Sequence, residues 1–179
     1  MRSRVAWFIV GLLSLMLAFS AVAEKPSTLW LDVPFVRQER DGCGSASIAM
    51  VMQYWERQVG RPPVASVAEI QQQLYSPKAR GIYASDMERY FADNGYRAFA
   101  FAGTWDDLHQ QIVKGRPVIV ALRVARGDLH YVVIAGLDVA QNTVLKNDPA
   151  QRKLLKQSRA SFEKEWEVAA HWMLLAVPQ

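Results

Sequence analysis

Gln38-Glu39-Arg40-Asp41-Gly42-Cys43-Gly44-Ser45-Ala46-Ser47-Ile48-Ala49-Met50 runs from a polar loop into a helix-forming stretch, and Cys43 is the only cysteine among the 179 residues. A thiol at the opening of a helix meets backbone N–H groups with no intrahelical partner and the positive end of the helix dipole, both of which favour a thiolate. Gly42 and Gly44 predict a sharp backbone turn and room for a substrate to approach. A lone cysteine has no internal disulfide to form, so the readings left for it are a reactive thiol or a small buried hydrophobe. The partners that the rest of the chain supplies separate the two.

Working outward toward the N-terminus, the chain opens with basic Met1-Arg2-Ser3-Arg4, continues with an apolar run from Val5 to Ser20, and then reads Ala21-Val22-Ala23. Basic start, apolar run and small residues at the cleavage positions predict a secretory signal peptide over residues 1–23, cut before Glu24. An uncleaved anchor is the rival reading, disfavoured because the run is short for a span. With no cysteine at the cut, a lipoprotein is not expected. Removing 23 residues, Arg2 and Arg4 among them, leaves 156 residues and a formal charge of +2 in place of +4. An exported protein, periplasmic or extracellular, is expected, with residues 24–179 as one domain. No Lys/Arg cluster remains that would address nucleic acid. With three histidines scattered along the chain and one cysteine, no zinc-ligand spacing is present, so neither a metal nor another cofactor is expected.

The mature chain opens with an extended lead-in over residues 24–36, interrupted at Pro34. Apolar spacing predicts a first helix from Cys43 to Gln58, with Ile48, Met52 and Trp55 on one stripe. A loop at Arg61-Pro62-Pro63 precedes a second helix, Val67 to Leu74, and the turn Ser76 to Gly81 follows it. Ser85-Asp86-Met87-Glu88 reads as a capping box opening a third helix that ends near Asn94-Gly95. Tyr96 to Ala102 suggests a short strand, and Thr104-Trp105-Asp106-Asp107 caps a fourth helix that reaches Lys114-Gly115. Thereafter Pro117–Val124, His130–Leu137 and Asn142–Asn147 read as strands, Ser161–Ala170 as a helix and His171–Val177 as a closing strand. Helices first and an antiparallel sheet afterwards predict an α+β fold.

A cysteine nucleophile needs a base and a group to orient that base. His109 lies on the polar part of a helix, and His171 precedes Trp172 at the start of the last strand, as a structural or rim residue. His130 heads the apolar strand Leu129-His130-Tyr131-Val132-Val133-Ile134, just after the turn Arg126-Gly127-Asp128, where a rigid backbone projects its ring toward a cleft. A turn at Asp138 to Gln141 pairs the next strand with it and returns Asp148 toward His130, while Pro149 ends that strand. Asn147 is an alternative orienting group, but its side chain is expected on the opposite face. Asp128 reads as a turn former. For the oxyanion of acyl transfer, the backbone N–H of Cys43 and the side-chain amide of Gln38 are the candidate donors.

Val33-Pro34-Phe35 with Gln38, Asp41 to Val51, Gly115-Arg116-Pro117-Val118-Ile119-Val120, His130 to Ile134 and Asn147-Asp148-Pro149, in that order, resemble the bacteriocin-processing, double-glycine leader peptidases, a family of papain-like cysteine peptidases. The resemblance implies a papain-like fold with Cys43 as nucleophile, His130 as base, Asp148 as orienter and Gln38 in the oxyanion hole. It implies a peptide or protein substrate, with cleavage after a Gly-Gly leader motif, and a secretion machine as partner. Family members that trim leaders are fused to a membrane transporter and face the cytoplasm, whereas this sequence shows no transporter segment and is expected to be exported, as a stand-alone form. Two other readings are open. A transglutaminase- or amidase-type thiol acyltransferase uses the same Cys and His, and a non-catalytic leader-binding accessory of a secretion system uses neither. Of the aromatics, Trp30, Trp55, Tyr83, Trp105, Trp166 and Trp172 are candidates for a peptide groove, though most are expected in the core.

Overall fold

The computed structural model describes residues 28–62, 65–124 and 128–179. The signal peptide expected over residues 1–23, Pro63 of the first loop, and Arg126 and Gly127 of the turn before His130 lie outside the described residues. The elements are β1 (Thr28–Trp30), α1 (Cys43–Gln58), α2 (Val67–Leu74), α3 (Ala84–Asp93), β2 (Tyr96–Ala102), α4 (Trp105–Val113), β3 (Val118–Arg123), β4 (Leu129–Asp138), β5 (Thr143–Asn147), β6 (Leu155–Ser158), α5 (Arg159–Glu167) and β7 (Trp172–Pro178). All strands join one antiparallel sheet in the order β2-β7-β3-β4-β5-β6, with β1 on the other edge of part of β4. The fold class is α+β, as expected.

The helices are not confined to one side of that sheet. Residues of α1, α2 and α3 (Ile48, Val51, Ile70, Met87, Phe91) pack with Ile119, Tyr131, Val133 and Leu174 on one face. On the other, Trp105, Leu108, Phe162 and Trp166 of α4 and α5 pack with Val118, Val120, Val132 and Met173. Central strands covered on both faces bury successive side chains, which is why β3 reads as an apolar run from Val118 to Leu122. A bulge in β4 between Ile134 and Gly136 resets the alternation. Ala135 therefore faces α1, and Leu137, two residues on, joins the α4–α5 side.

Three boundaries and one strand depart from expectation, among them the end of α5 at Glu167, short of Ala170. The capping box at Ser85 does not form. Tyr83, in extended backbone, caps α3, and its carbonyl accepts the N–H of Asp86 and Met87 at 3.0 and 3.1 Å. Ile82 is buried just before it, so the chain must turn into the helix at once, and Asp86 pairs with Arg89 instead. Helix α5 starts two residues earlier than its apolar spacing suggests, because Ser158 caps it by accepting from Ser161 N–H. Strand β6, Leu155-Lys156-Gln157-Ser158, is short and mostly polar and carries no alternation to reveal it. Elsewhere the capping boxes Ser66–Glu69 and Thr104–Asp107 close the N-termini of α2 and α4 with reciprocal bonds.

Gly136 sets how closely β1 lies on β4. A Cβ there would stand 2.5 Å from the Leu29 carbonyl oxygen and 2.8 Å from the Trp30 Cβ. Gly136→Ala is expected to push β1 away and cost about 1–3 kcal/mol, read as a lower urea midpoint with loss of amide protection in residues 28–31.

Candidate active site

The path into α1 is set by backbone conformation. Asp41 takes a left-handed φ of 53° and Gly42 bonds back to the Glu39 carbonyl at 3.1 Å, so the helix opens abruptly at Cys43. No side chain caps this end, and the first turn holds no acidic residue. The dipole at Cys43 is thus left without a neutralising anion. Gly44 differs from its expected role. A Cβ on it would stand 3.0 Å from the Ile82 Cβ, so the missing side chain makes way for the segment leading into α3 and not for a substrate.

His130 stands at the head of β4, 12 % exposed at its side chain, and its Nε2 lies 2.8 Å from Asp148 Oδ1. An ionised carboxylate only accepts, so Nε2 carries the hydrogen. Cys43 lies close enough to the same ring to raise its proton affinity, and with Nε2 taken by Asp148, Nδ1 is the nitrogen left to face sulfur. The Asp148 side chain is 2 % exposed. Besides His130, it accepts the Ala150 N–H on Oδ1 at 3.0 Å and Gln151 Nε2 on Oδ2 at 2.7 Å. Sequence reasoning did not find Gln151. The Asp-Pro turn was the available signal, since an Asp side chain commonly accepts the N–H two residues on.

The neighbouring residues of that strand end hold the loop in front of Cys43. Asn147 is fully buried and, as expected, does not face His130. Its Nδ2 donates to the Val33 and Pro34 carbonyls at 3.2 and 3.4 Å, and its Oδ1 accepts the Leu154 N–H at 2.9 Å. The Pro149 carbonyl accepts the Gln38 N–H at 3.0 Å. Gln38 is thereby fastened to the turn that carries Asp148, and its side-chain oxygen is buried without a partner.

Electrostatics follow from this packing. Burial disfavours the imidazolium of His130, but the hydrogen bonds to Asp148 and Cys43 and the charges on both outweigh it and raise its pKa to about 9. Burial likewise opposes the charged form of Asp148. The bond and charge of His130, the Ala150 N–H and the Lys146 ammonium prevail and hold the carboxyl below its usual range. Tyr131, next along β4, is pushed up to about 12 by burial and by the charge on Cys43. Its ring stands 5.5 Å from that of Trp172.

The remaining candidates lie elsewhere. His109 is half-buried on α4. His171, at φ 53°, faces Glu163 at 3.5 Å and stands edge-on to Trp166, a rim position. Asp128 accepts the Val124 N–H through its carbonyl at 3.1 Å and closes the β3–β4 connection. Trp105 and Trp166 are core, Trp55 and Trp172 half-buried, and Trp30 and Tyr83 exposed.

The profile of the Peptidase_C39 like family matches residues 30–172. Among curated proteins none matches the sequence. Among solved structures, the fold is similar to the peptidase domain of Streptococcus ComA, a bifunctional ABC transporter involved in a quorum-sensing pathway. There the TM-score is 0.66 at 21 % identity, over 82 % of this chain and 99 % of that one. It is also similar to a double glycine motif protease from an AMS/PCAT transporter in complex with the leader peptide, with a TM-score of 0.64 at 20 % identity, over 84 % and 94 % of the two chains. A candidate C39-like peptidase from Bacillus anthracis gives 0.62 at 19 % identity, over 85 % and 98 %. At these identities the likeness is one of fold.

The raised His130 has a consequence for stability. A group whose folded pKa exceeds its unfolded value stabilises fully below the unfolded value, here 6.5, and loses that contribution as pH rises through the folded value of about 9. The stability lost on His130→Ala is therefore expected to shrink by on the order of 2–3 kcal/mol between pH 6 and pH 10. Urea unfolding of both proteins across that range measures it, and a pH-independent difference contradicts it.

Proposed function

The chain belongs to the Peptidase_C39 like family, and from that premise we propose that it is a cysteine peptidase in which Cys43, His130 and Asp148 form the catalytic triad and Gln38 completes the oxyanion hole. The observation that carries the reading is the shared imidazole. One ring is bonded through Nε2 to a sealed carboxylate, and its proton affinity is coupled to the thiol at a helix start.

In this reading His130 rests as an imidazolium beside the Cys43 thiolate. The thiolate attacks the peptide carbonyl, and the oxyanion is met by the Cys43 N–H and the Gln38 amide. His130 gives its Nδ1 proton to the leaving amine, whose C–N bond breaks to leave a thioester. The now neutral His130 takes a proton from water as that water attacks the thioester, and keeps it as the C–S bond breaks and sulfur departs as thiolate, which restores the starting pair. Asp148 keeps the Nε2 hydrogen in place throughout, so Nδ1 is always the nitrogen that exchanges protons with sulfur and substrate.

The substrate in this proposal is an exported peptide or protein cut after a Gly-Gly leader motif, by analogy with the double glycine motif protease it resembles in fold. A secretion machine is the expected partner, and residues 24–179 the mature, exported domain. N-terminal sequencing of the exported protein is expected to begin at Glu24.

Alkylation of Cys43 under reducing conditions, counted by mass, tests the pair before any substrate is known. Rapid labelling persisting well below the pH where ordinary thiols react, and lost in His130→Ala, is the expected result; slow, ordinary labelling in both proteins removes the activated-pair reading. With peptides, Cys43→Ala is expected to leave no cleavage, and Gln38→Ala to lower kcat by roughly 10²–10³-fold. The alkaline limb of kcat/KM is expected near pH 9, where His130 loses its proton. Replacing Gly-Gly by Ala-Ala before the cut is expected to abolish turnover; equal cleavage of both peptides refutes the leader specificity and leaves the peptidase chemistry standing.

A further inference from the structure

Lys146 is a buried cation next to the proposed catalytic pair that the mechanism above does not use. It stands two residues before Asp148 in the β5 segment, so alternation puts both side chains on the same face. Its side chain is only 7 % exposed, and it lies between Ile134 on β4 and Leu155 on β6. Removing an ammonium from water costs several kcal/mol unless anions compensate. The ion pair it forms is loose, with Nζ 4.0 Å from Glu165 Oε2 on α5, and that carboxylate is itself 35 % exposed and bonded by Gln157. A cavity of about 270 Å³ joins Lys146 and Glu165 to Asp148, His130, Gln151 and Gln157. A leucine or methionine would fill the same space at lower cost, so the property this position supplies is charge.

We propose that Lys146 is a positioning residue whose buried ammonium, acting through Asp148, sets the proton affinity of His130 and with it the pH window of the thiolate–imidazolium pair; this rests on the Cys43–His130–Asp148 reading above. The titratable groups that line the cavity with Lys146 are Asp148 on its own segment, His130 on β4, Glu165 on α5, Lys156 on β6 and Arg123 on β3. Burial pushes the Lys146 ammonium below its usual range, while the charges of Glu165 and Asp148 oppose that shift. Lys146 is in turn one of the charges that keep Asp148 ionised.

The direction of the effect follows from the charge count. Without the ammonium, His130 keeps the anions Asp148 and Glu165 and the thiolate and loses a nearby cation, so its imidazolium becomes harder to deprotonate. Asp148 loses a stabilising cation and takes up a proton at higher pH. Both limbs of the window therefore move upward. Loss of packing alone would lower activity without moving either limb.

The test is an NMR titration of the His130 imidazole in the full-length chain, assigned by its absence in His130→Gln. In wild type the ring is expected to titrate near pH 9. Lys146→Met is expected to raise that midpoint by about 0.5–1 pH unit, and Lys146→Arg to leave it in place. Glu165→Gln, on the partly exposed rim, removes an anion and is expected to lower it, which keeps the test decisive if Lys146→Met does not fold. A midpoint unmoved in Lys146→Met and Glu165→Gln, or moved equally by Lys146→Arg and Lys146→Met, overturns the role of Lys146 and leaves the triad intact. A wild-type midpoint near 6.5 overturns the triad reading and this inference with it.

Discussion

A carboxylate sealed from solvent is affordable only when each oxygen is met by a donor, and the Asp148 side chain is 2 % exposed. Its donors are His130 Nε2, the Ala150 N–H and Gln151 Nε2. That requirement fixes more than the carboxylate. It demands the hydrogen on Nε2 and so commits Nδ1 to the thiol. It requires β5 to end where it does, in a turn whose backbone folds back on the Asp148 side chain. From the same strand end, Asn147 holds the Val33–Pro34 segment and Pro149 holds Gln38. Three consecutive residues thus tie together the buried carboxylate, the His130 ring and the loop that leads to Cys43.

The sheet brings the parts from opposite sides. Helix α1 packs on one face and delivers Cys43 at its first turn, against the apolar cluster that includes Tyr131. Asp148, Lys146 and the cavity under α5 belong to the other. His130, at the end of β4 where the sheet gives way, is the residue that touches both. Strand ends suit this task, because the backbone is held by cross-strand bonds to Leu122 on β3 while the ring is free of neighbours further along β4. Gly44 serves the same geometry at longer range, since it lets the segment before α3 press against α1 without displacing the helix start.

Much of this was legible in the chain. The bounds of α1, α2 and β2 follow from apolar periodicity and turn residues, and β3, β4 and β5 from apolar content. The pairing of Asp148 with His130 follows from one inference, that a turn at Asp138–Gln141 makes β5 antiparallel to β4. The α3 cap was misread because Ser85-Asp86-Met87-Glu88 satisfies a local pattern, while burial of Ile82 against Gly44 decides where the helix starts. Strand β6 and the placement of helices on both faces were not visible. A short polar strand has no period of its own, and a helix's stripe does not say which side of a sheet it will meet.

The sequence by itself determined most of the elements and the family, and singled out Cys43, His130, Asp148 and Gln38 as candidates, because periodicity, capping and a lone cysteine at a helix start are local properties. Only the tertiary structure decided that Asp148 is sealed and triply bonded, that Nε2 rather than Nδ1 faces it, that Asn147 is a staple for the Gln38 loop, and that a buried Lys146 stands behind the pair. Each of these depends on what residues distant in the chain bring within a few ångströms, where burial and charge are set by neighbours and not by the side chain itself.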